Sequence, residues 1–171
     1  STFASVTVTN PSEFSYACNQ LGYKESNVTL LPNGISREQF SVLSGIVSKP
    51  RKKKDSVIVS YVGNIGIPQN LSVLVDAAKS LPQVTFKVIG VGQNLKEVER
   101  YKEKREASNF SLIGSLSWEE LINVYKESDI LYAQLNQSFR AAVPSKLYEY
   151  LSTGKFIIYG GGGEAIRLLA D

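Results

Sequence analysis

From residue 56 to residue 159, short and nearly continuous apolar runs alternate with longer segments that have the spacing of amphipathic helices. The runs lack regular polar alternation, so both faces of each predicted strand must be buried, as in parallel sheets that helices cover on both sides. Strands are predicted at residues 57–62, 84–89, 110–113, 130–133 and 156–159. Helices are predicted at residues 71–81, 95–106 and 118–126 and from Pro144 onwards. The sequence therefore predicts an α/β fold with a doubly wound parallel sheet.

The loops after these five strands are rich in glycine and polar residues. They lie at residues 63–66, 90–92, 114–115, 134–144 and 160–163. Ligands of open parallel sheets bind outside the carboxyl ends of the strands, so we expect the five loops to share one binding rim. Four consecutive glycines, residues 160–163, cost backbone entropy and are predicted to lie where a ligand approaches the main chain.

The segment from Arg140 to Glu164 combines a helix start, a charged helical face and the glycine run. Pro144 is predicted as the first helical residue, which leaves the amides of Ser145 and Lys146 pointing out of the helix end, where an anion binds well. Lys146 and Glu149 share a helical face, and Glu149 is one residue out of register for a capping box with Ser145. Glu149 is thus predicted to be free for another partner. The alternative is an ordinary surface helix with a Lys–Glu pair.

Composition excludes several classes of site. The chain has no histidine and one cysteine, Cys18, so it lacks the usual general base and the usual zinc ligands, and we expect no metal site. A net charge of +3 does not indicate nucleic-acid binding, and no apolar run reaches the length of a membrane span. The basic residues 51–54 lack interleaved aromatic residues and are predicted to be a solvated loop. A single cysteine fits a cytoplasmic protein.

The first 48 residues predict a strand at 6–9, a helix capped by Ser12, and a second strand at 28–31. The sheet of such a unit is not large enough to stand alone, so we expect the unit to belong partly to a neighbouring domain. The chain lacks an initiating methionine and ends inside a predicted helix. We therefore expect a fragment of a longer protein.

Neither common nucleotide fingerprint is present. The loop after the first main strand reads Gly63-Asn64-Ile65-Gly66, and Gly90-Val91-Gly92 lacks the third glycine of the dinucleotide motif. No Walker sequence occurs. An NAD enzyme and a P-loop NTPase are both disfavoured.

Four stretches in order, VGN-IG, VIGVG, LIGSLSWEELINVYKESDIL and PSKLYEYLSTGKFIIYGGGGE, resemble the donor-binding half of family 4 (GT-B fold) glycosyltransferases. The last stretch is similar to the P-S-K-x-x-E-Y signature of the bacterial surface-polysaccharide branch. The stretches VTVTNPSEF and VTLLPNGISREQF resemble the end of the partner domain and the crossover. This resemblance implies residues 1–48 as the end of an N-terminal acceptor domain with the crossover, 49–55 as a linker, and 56–171 as a truncated C-terminal nucleotide-sugar-binding domain.

The resemblance also implies roles for individual residues. Glu149 would hydrogen-bond the ribose, Lys146 would neutralise the diphosphate, and Glu164 would lie near the sugar; these three are the candidate catalytic residues. The implied donor-binding residues are Gly63, Asn64, Gly90, Gly92, Ile113, Gly114, Arg140, Ser145, Lys146, Glu149, Gly162 and Gly163. The sequence departs from the family at Ala141, where the first Glu of E-x7-E is expected, and near Asn64 and Gln69, where a basic pair is expected.

The implied reaction is sugar transfer with retention, from a nucleotide diphosphate sugar that we predict to be UDP-linked, to a polysaccharide or lipid-linked acceptor. It needs no cofactor and no metal if Lys146 supplies the positive charge. The expected partners are the donor, the N-terminal acceptor domain and, in the full-length protein, a membrane surface; nucleic acid is not expected. Two alternatives remain, a nucleotide-sugar epimerase of the same architecture and an inert binding or interaction module.

Overall fold

The computed structural model describes residues 3–46 and 56–170. The predicted linker, residues 49–55, lies outside the described residues, as does its basic stretch. The described chain opens with strand β1 (Val6–Val8), helix α1 (Pro11–Asn19) and strand β2 (Val28–Leu30), and β1 and β2 pair in parallel as a two-stranded sheet. Helix α2 (Arg37–Ser44) follows.

The main sheet contains five parallel strands, and each coincides with a predicted one. They are β3 (Ile58–Val62), β4 (Thr85–Ile89), β5 (Phe110–Ile113), β6 (Ile130–Gln134) and β7 (Phe156–Gly160). The helices are α3 (Ser72–Ser80), α4 (Leu95–Arg105), α5 (Trp118–Glu127), α6 (Lys146–Ser152) and α7 (Glu164–Ala170). The strand order is β5-β4-β3-β6-β7, so the direction of winding reverses between β3 and β6. This is a Rossmann-like arrangement, and the predicted fold class is confirmed.

Side chains of β3, β4, β5 and β6 alternate between two separate cores, because successive side chains point to opposite faces of a sheet. The prediction that every strand is buried on both faces is wrong for the edge strand β7, where Phe156 is 82% and Ile158 49% exposed. On one face, Tyr61 and Phe86 pack with Leu74 of α3. On the other face, Val62 and Leu131 belong to a second core, which also includes Leu43, Leu147 and Tyr150. Leu43 lies on α2 and is fully buried, so α2 packs onto the main sheet.

Two predicted helix starts are wrong by two residues. Helix α1 is capped by Asn10, whose side chain accepts from the amide of Glu13, and not by Ser12. Pro11 decides the position, because proline is favoured at the first helical residue after the cap. Helix α6 begins at Lys146 and not at Pro144, because the amides of Leu147 and Tyr148 bond three residues back, to the carbonyls of Pro144 and Ser145. A tight turn therefore precedes the helix.

Candidate functional site

A crevice opens at the carboxyl ends of β3 and β6, where the strand order reverses. Two cavities meet there, of about 310 Å³ and about 120 Å³. Both are lined by Val62, Gly63, Asn64 and Lys146. The larger extends over the ends of β4 and β5, towards Ile89, Gly90, Val91, Ser115, Leu116 and Leu121. The smaller extends towards Tyr61, Gln69, Ala133, Gln134, Pro144 and Ser145. Lys146 thus lies where the two cavities join.

Of the predicted donor-binding residues, Gly63, Asn64, Gly90, Ser145 and Lys146 line this crevice. Ile113 ends β5, and its carbonyl accepts from the amide of Gly90 at 2.9 Å. The residues that line the cavity at this strand are Ser115 and Leu116, directly after Gly114. Glu149 lines neither cavity.

The glycines after β3 and β4 allow two loops to pack main chain against main chain. The amide of Gly63 donates to the carbonyl of Ile89 at 2.9 Å. A Cβ on Gly90 would lie 1.8 Å from the carbonyl oxygen of Gly63, and one on Gly92 would lie 2.3 Å from that of Ile65. Contact between the loops therefore already requires these glycines, and the floor of the crevice is formed by main chain.

The run of four glycines, residues 160–163, begins with the last residue of β7 and also packs against main chain. Gly163 has a φ of +74°, and a Cβ there would lie 1.9 Å from the carbonyl oxygen of Arg140. The same carbonyl accepts from the amide of Glu164 at 3.0 Å. A Cβ on Gly162 would lie 3.3 Å from Gln137 Oε1. The segment that crosses this loop is the chain's own main chain at Arg140, whose side chain is exposed.

Glu149 does not cap its own helix, as predicted, and it has two other side-chain partners. Lys146 Nζ contacts Glu149 Oε1 at 2.6 Å, and the hydroxyl of Tyr125 donates to Glu149 Oε2 at 2.7 Å. Glu149 is 9% exposed, so the hydrogen bond from Tyr125 offsets part of the cost of burying a carboxylate. Burial and the adjacent Glu149 raise the pKa of Tyr125, so its hydroxyl keeps the proton that it donates.

The hydroxyl of Tyr150 ties the middle of α6 to the end of β3. It accepts from the amide of Val62 at 2.8 Å and lies 3.2 Å from the carbonyl of the same residue. Tyr150 and Tyr125 pack edge to face with ring centroids 6.0 Å apart. These contacts fix α6 relative to the crevice, so the position of Lys146 is set by buried residues. Neither tyrosine was predicted as a site residue, although Tyr150 shares a helical face with Lys146 and Glu149 by its spacing.

The start of α6 presents main-chain donors beside Lys146. In the described part of the chain, the amides of Ser145 and Lys146 donate to no acceptor. These amides and the ammonium of Lys146 are hydrogen-bond donors on this side of the crevice. No negatively charged side chain is among the residues that line the smaller cavity. Such a wall suits an anionic ligand.

Glu164 is the third candidate catalytic residue, and it is 5% exposed. Its Oε1 accepts from Ser12 Oγ at 2.5 Å and lies 2.8 Å from Arg167 Nη1. Ser12 belongs to α1, in the N-terminal unit. Sequence reasoning missed Ser12, because the contact spans 152 positions and has no local signal.

A larger cavity, of about 530 Å³, lies between α3 and α4. It is lined by Asn70, Ser72, Asn94, Glu97, Val98, Arg100, Tyr101 and Lys104. It shares no lining residue with the crevice, and five of its eight lining residues belong to α4. The crevice lies at the carboxyl ends of β3 and β6, where ligands of such sheets bind. The crevice at Lys146 is therefore the candidate site.

The contact between Tyr125 and Glu149 can be tested by stability. Tyr125→Phe keeps the aromatic packing and removes one hydrogen bond to a buried carboxylate, so we expect a loss of about 1–3 kcal/mol in unfolding free energy. Urea denaturation measures it. Tyr148→Phe is the matched control, because Tyr148 lies on α6 with its hydroxyl unpaired in the described part of the chain. Equal stabilities of the two variants would contradict the assigned contact.

The family model for glycosyl transferases group 1 matches residues 46–167, well over half of the chain. The chain belongs to this family. This match confirms the family resemblance that the sequence motifs indicated, and with it the prediction that the chain belongs to a glycosyltransferase family.

Individual relatives agree with this assignment. Over 144 residues the chain is 28% identical to WcaI of Escherichia coli (strain K12), named a colanic acid biosynthesis glycosyl transferase; the match covers 78% of this chain and 35% of WcaI. WaaG, a glycosyltransferase involved in lipopolysaccharide biosynthesis, has a similar structure, with a TM-score of 0.74, 16% identity, and coverage of 96% of this chain and 46% of WaaG. HepE of Anabaena, solved in complex with UDP, gives a TM-score of 0.73 at 16% identity, with 96% and 47% covered.

These coverages show that the chain spans about a third of the length of WcaI and just under half of each solved structure. Within residues 3–46 and 56–170, no helix combines the length and apolar character needed to cross a membrane. The same residues hold no cluster of three or more His, Cys, Asp or Glu side chains that could bind a metal ion.

Proposed function

We propose that this chain is the nucleotide-sugar-binding part of a retaining glycosyltransferase. The donor is a nucleotide diphosphate sugar, and its diphosphate binds at Lys146, where the two cavities of the crevice join. This position of Lys146, beside two unpaired amides, is the observation that carries the proposal. UDP is the nucleotide we favour, since the similar fold of HepE was solved with UDP.

The ion pair between Lys146 and Glu149 suggests how the site changes when the donor binds. A diphosphate carries more negative charge than one carboxylate, so the ammonium of Lys146 moves to the phosphate oxygens. Glu149 Oε1 is then released to accept hydrogen bonds from the ribose hydroxyls, while Tyr125 continues to hold Oε2. Lys146 and Glu149 thus lose the ion pair between them, and each gains a contact with the donor.

Catalysis follows from the charge that develops on the departing diphosphate. Donors fixed in advance around that charge lower the barrier, and Lys146 with the adjacent amides is placed to do so. We place the sugar hydroxyls beside Glu164, which follows the glycine run and whose Oε1 already contacts Ser12 and Arg167. No nucleophilic side chain is assigned, and the acceptor enters from the N-terminal domain of the full-length protein.

The acceptor is a growing polysaccharide or a lipid-linked sugar. The name of WcaI, which refers to colanic acid biosynthesis, supports this class. We place the reaction in the cytoplasm, with the full-length protein at a membrane surface when the acceptor is lipid-linked.

Retention is tested on the product of the full-length enzyme. We expect the transferred sugar to keep the anomeric configuration that it has in the donor, which proton NMR couplings report.

Calorimetric titration of the chain with UDP, GDP, UMP and UDP-N-acetylglucosamine tests donor binding. We expect one diphosphate to bind more tightly than its monophosphate, because the second phosphate adds charge next to Lys146. Folded protein that binds none of these ligands would contradict the proposal.

Substitution of Glu149 tests the ribose contact. Glu149→Ala should weaken binding of the preferred nucleotide by roughly 1–3 kcal/mol, the cost of removing a hydrogen-bond partner from a buried site. Glu119→Ala, at an exposed position in the first turn of α5, is the control. An unchanged affinity in folded Glu149→Ala protein would remove the ribose assignment.

An inert donor-binding module is the second candidate function. It is favoured by one observation: Asn64 and Gln69 line the crevice where the family resemblance implies a basic pair, and Ala141 carries no carboxylate. Such a module binds the donor, but the full-length protein transfers no sugar. A transfer assay on the full-length protein therefore distinguishes the two functions.

A further inference from the structure

Two side chains at the start of α1 reach across to the rim of the main sheet. Asn10 Nδ2 donates to the carbonyl of Ala141 at 2.8 Å, and Ser12 Oγ donates to Glu164 Oε1 at 2.5 Å. Asn10 is 3% exposed and Glu164 is 5% exposed, so water competes little for these contacts. The N-terminal unit is thus joined to the loop before α6 and to the first residue of α7.

The two segments that Asn10 and Ser12 contact also contact each other. The amide of Glu164 donates to the carbonyl of Arg140, and Gly163 leaves no space for a side chain at that carbonyl. Residues 140–141 and 163–164 therefore form one element, which we call the rim junction. Asn10 and Ser12 hold this junction from outside, one on each of its two segments.

The strand order places the rim junction relative to a bound donor. The larger cavity of the crevice covers the ends of β4 and β5, and its apolar lining suits a nucleotide base. Lys146 follows at the centre, and the loops after β6 and β7, which carry the rim junction, lie on the opposite side. A donor with its base over β4 and β5 and its diphosphate at Lys146 therefore directs its sugar towards the rim junction.

We propose that Asn10 and Ser12 are positioning residues for the sugar portion of the donor. This inference rests on the proposed function. The two residues do not touch the donor; they fix the main chain at Ala141 and the carboxylate of Glu164 in the place where the sugar binds. Loss of either contact loosens the sugar end of the site and leaves the base and diphosphate contacts intact.

The chain offers clean variants for this test. Asn10→Ser keeps a good N-cap for α1 and removes the Nδ2 donor, so the helix start is preserved while the contact with Ala141 is lost. Ser12→Ala removes the donor to Glu164. Asn19→Ser and Ser15→Ala are matched controls, because both positions are exposed on the same helix.

The experiment is calorimetric titration of these five proteins with UDP and with UDP-glucose or UDP-N-acetylglucosamine, whichever binds the unsubstituted chain more tightly. For Asn10→Ser and Ser12→Ala, we expect sugar-nucleotide affinity to fall about threefold to tenfold, the effect of one hydrogen bond, and UDP affinity to change less than about twofold. The controls should match the unsubstituted chain.

Two results would overturn this inference alone. The first is that Asn10→Ser and Ser12→Ala bind both ligands as tightly as the unsubstituted chain does. The second is an equal loss of affinity for UDP and for the sugar nucleotide, which would mean that the contacts only support the fold. If the unsubstituted chain binds neither ligand, the proposed function is overturned and this inference with it. The ratio of the two affinities therefore separates a positioning role from a general structural one.

Discussion

Lys146→Ala should weaken the binding of UDP by about tenfold to a hundredfold and change the binding of uridine by less than about threefold. The reason is that a hydrogen bond to a charged group is worth more than a neutral one, and only UDP places charge at this position. Calorimetric titration with both ligands measures the difference.

Lys126→Ala is the control for this experiment, because Lys126 is exposed in the last turn of α5. Lys146→Ala also leaves Glu149 without its cationic partner, so the thermal unfolding midpoint is measured alongside the affinities. Lys146→Gln retains a polar side chain as a second variant. Equal losses for UDP and uridine would mean that Lys146 has a structural role only.

Gly163→Ala should cost about 3 kcal/mol or more in unfolding free energy, and Gly154→Ala about 1 kcal/mol. Both glycines have positive φ, +74° and +63°, so an alanine is strained by a similar amount at each. The two positions differ in the room available for a side chain. A Cβ on Gly163 would clash with the carbonyl of Arg140, whereas nothing lies within 4 Å of a Cβ on Gly154. The extra cost is the overpacking of the rim junction.

Urea denaturation of the two glycine variants gives the comparison directly. Because the backbone strain is common to both, the difference in their unfolding free energies isolates the contact between Gly163 and Arg140. Costs that agree within about 0.5 kcal/mol would show that the main chain at Arg140 moves aside easily, and that the rim junction is not a fixed element.

The sheet could be predicted from the sequence because burial alone determines its pattern. Strands such as β3 and β4 are enclosed on both faces, and this requires near-continuous apolar residues that are visible in a single sequence. The same reasoning predicted the crevice, since parallel strands bring their carboxyl ends to one edge. Lys146 was predicted from the helix start after Pro144 and from the family resemblance.

The helix starts show where local signals compete. Asn10 and Ser12 are both good N-cap residues, and the predicted cap, Ser12, is wrong. The proline between them favours Asn10, and Ser12 is then available for Glu164. Because Ser12 was assigned as the cap, its contact with Glu164 was not predicted.

The contact of Glu149 with Tyr125 and the packing of Gly163 could not be predicted, because both depend on tertiary structure, whereas the pair of Glu149 with Lys146 follows from their i, i+3 spacing. Tyr125 lies 24 positions from Glu149, and nothing local indicates that its hydroxyl faces the carboxylate. The glycine run was interpreted as a place where a ligand meets the main chain. At Gly163 the approaching group is the carbonyl of Arg140, and the sequence alone does not distinguish a ligand from the chain itself.

The most direct test of the central claim is to map UDP onto the chain by amide NMR. If the crevice at Lys146 is the donor site, the largest shift changes will fall on residues 63–64 and 145–147, where the two cavities join. Changes centred on the larger cavity between α3 and α4, at residues 94–104, would contradict the account, because the nucleotide would then bind on a helical face and Lys146 would have no part in its recognition.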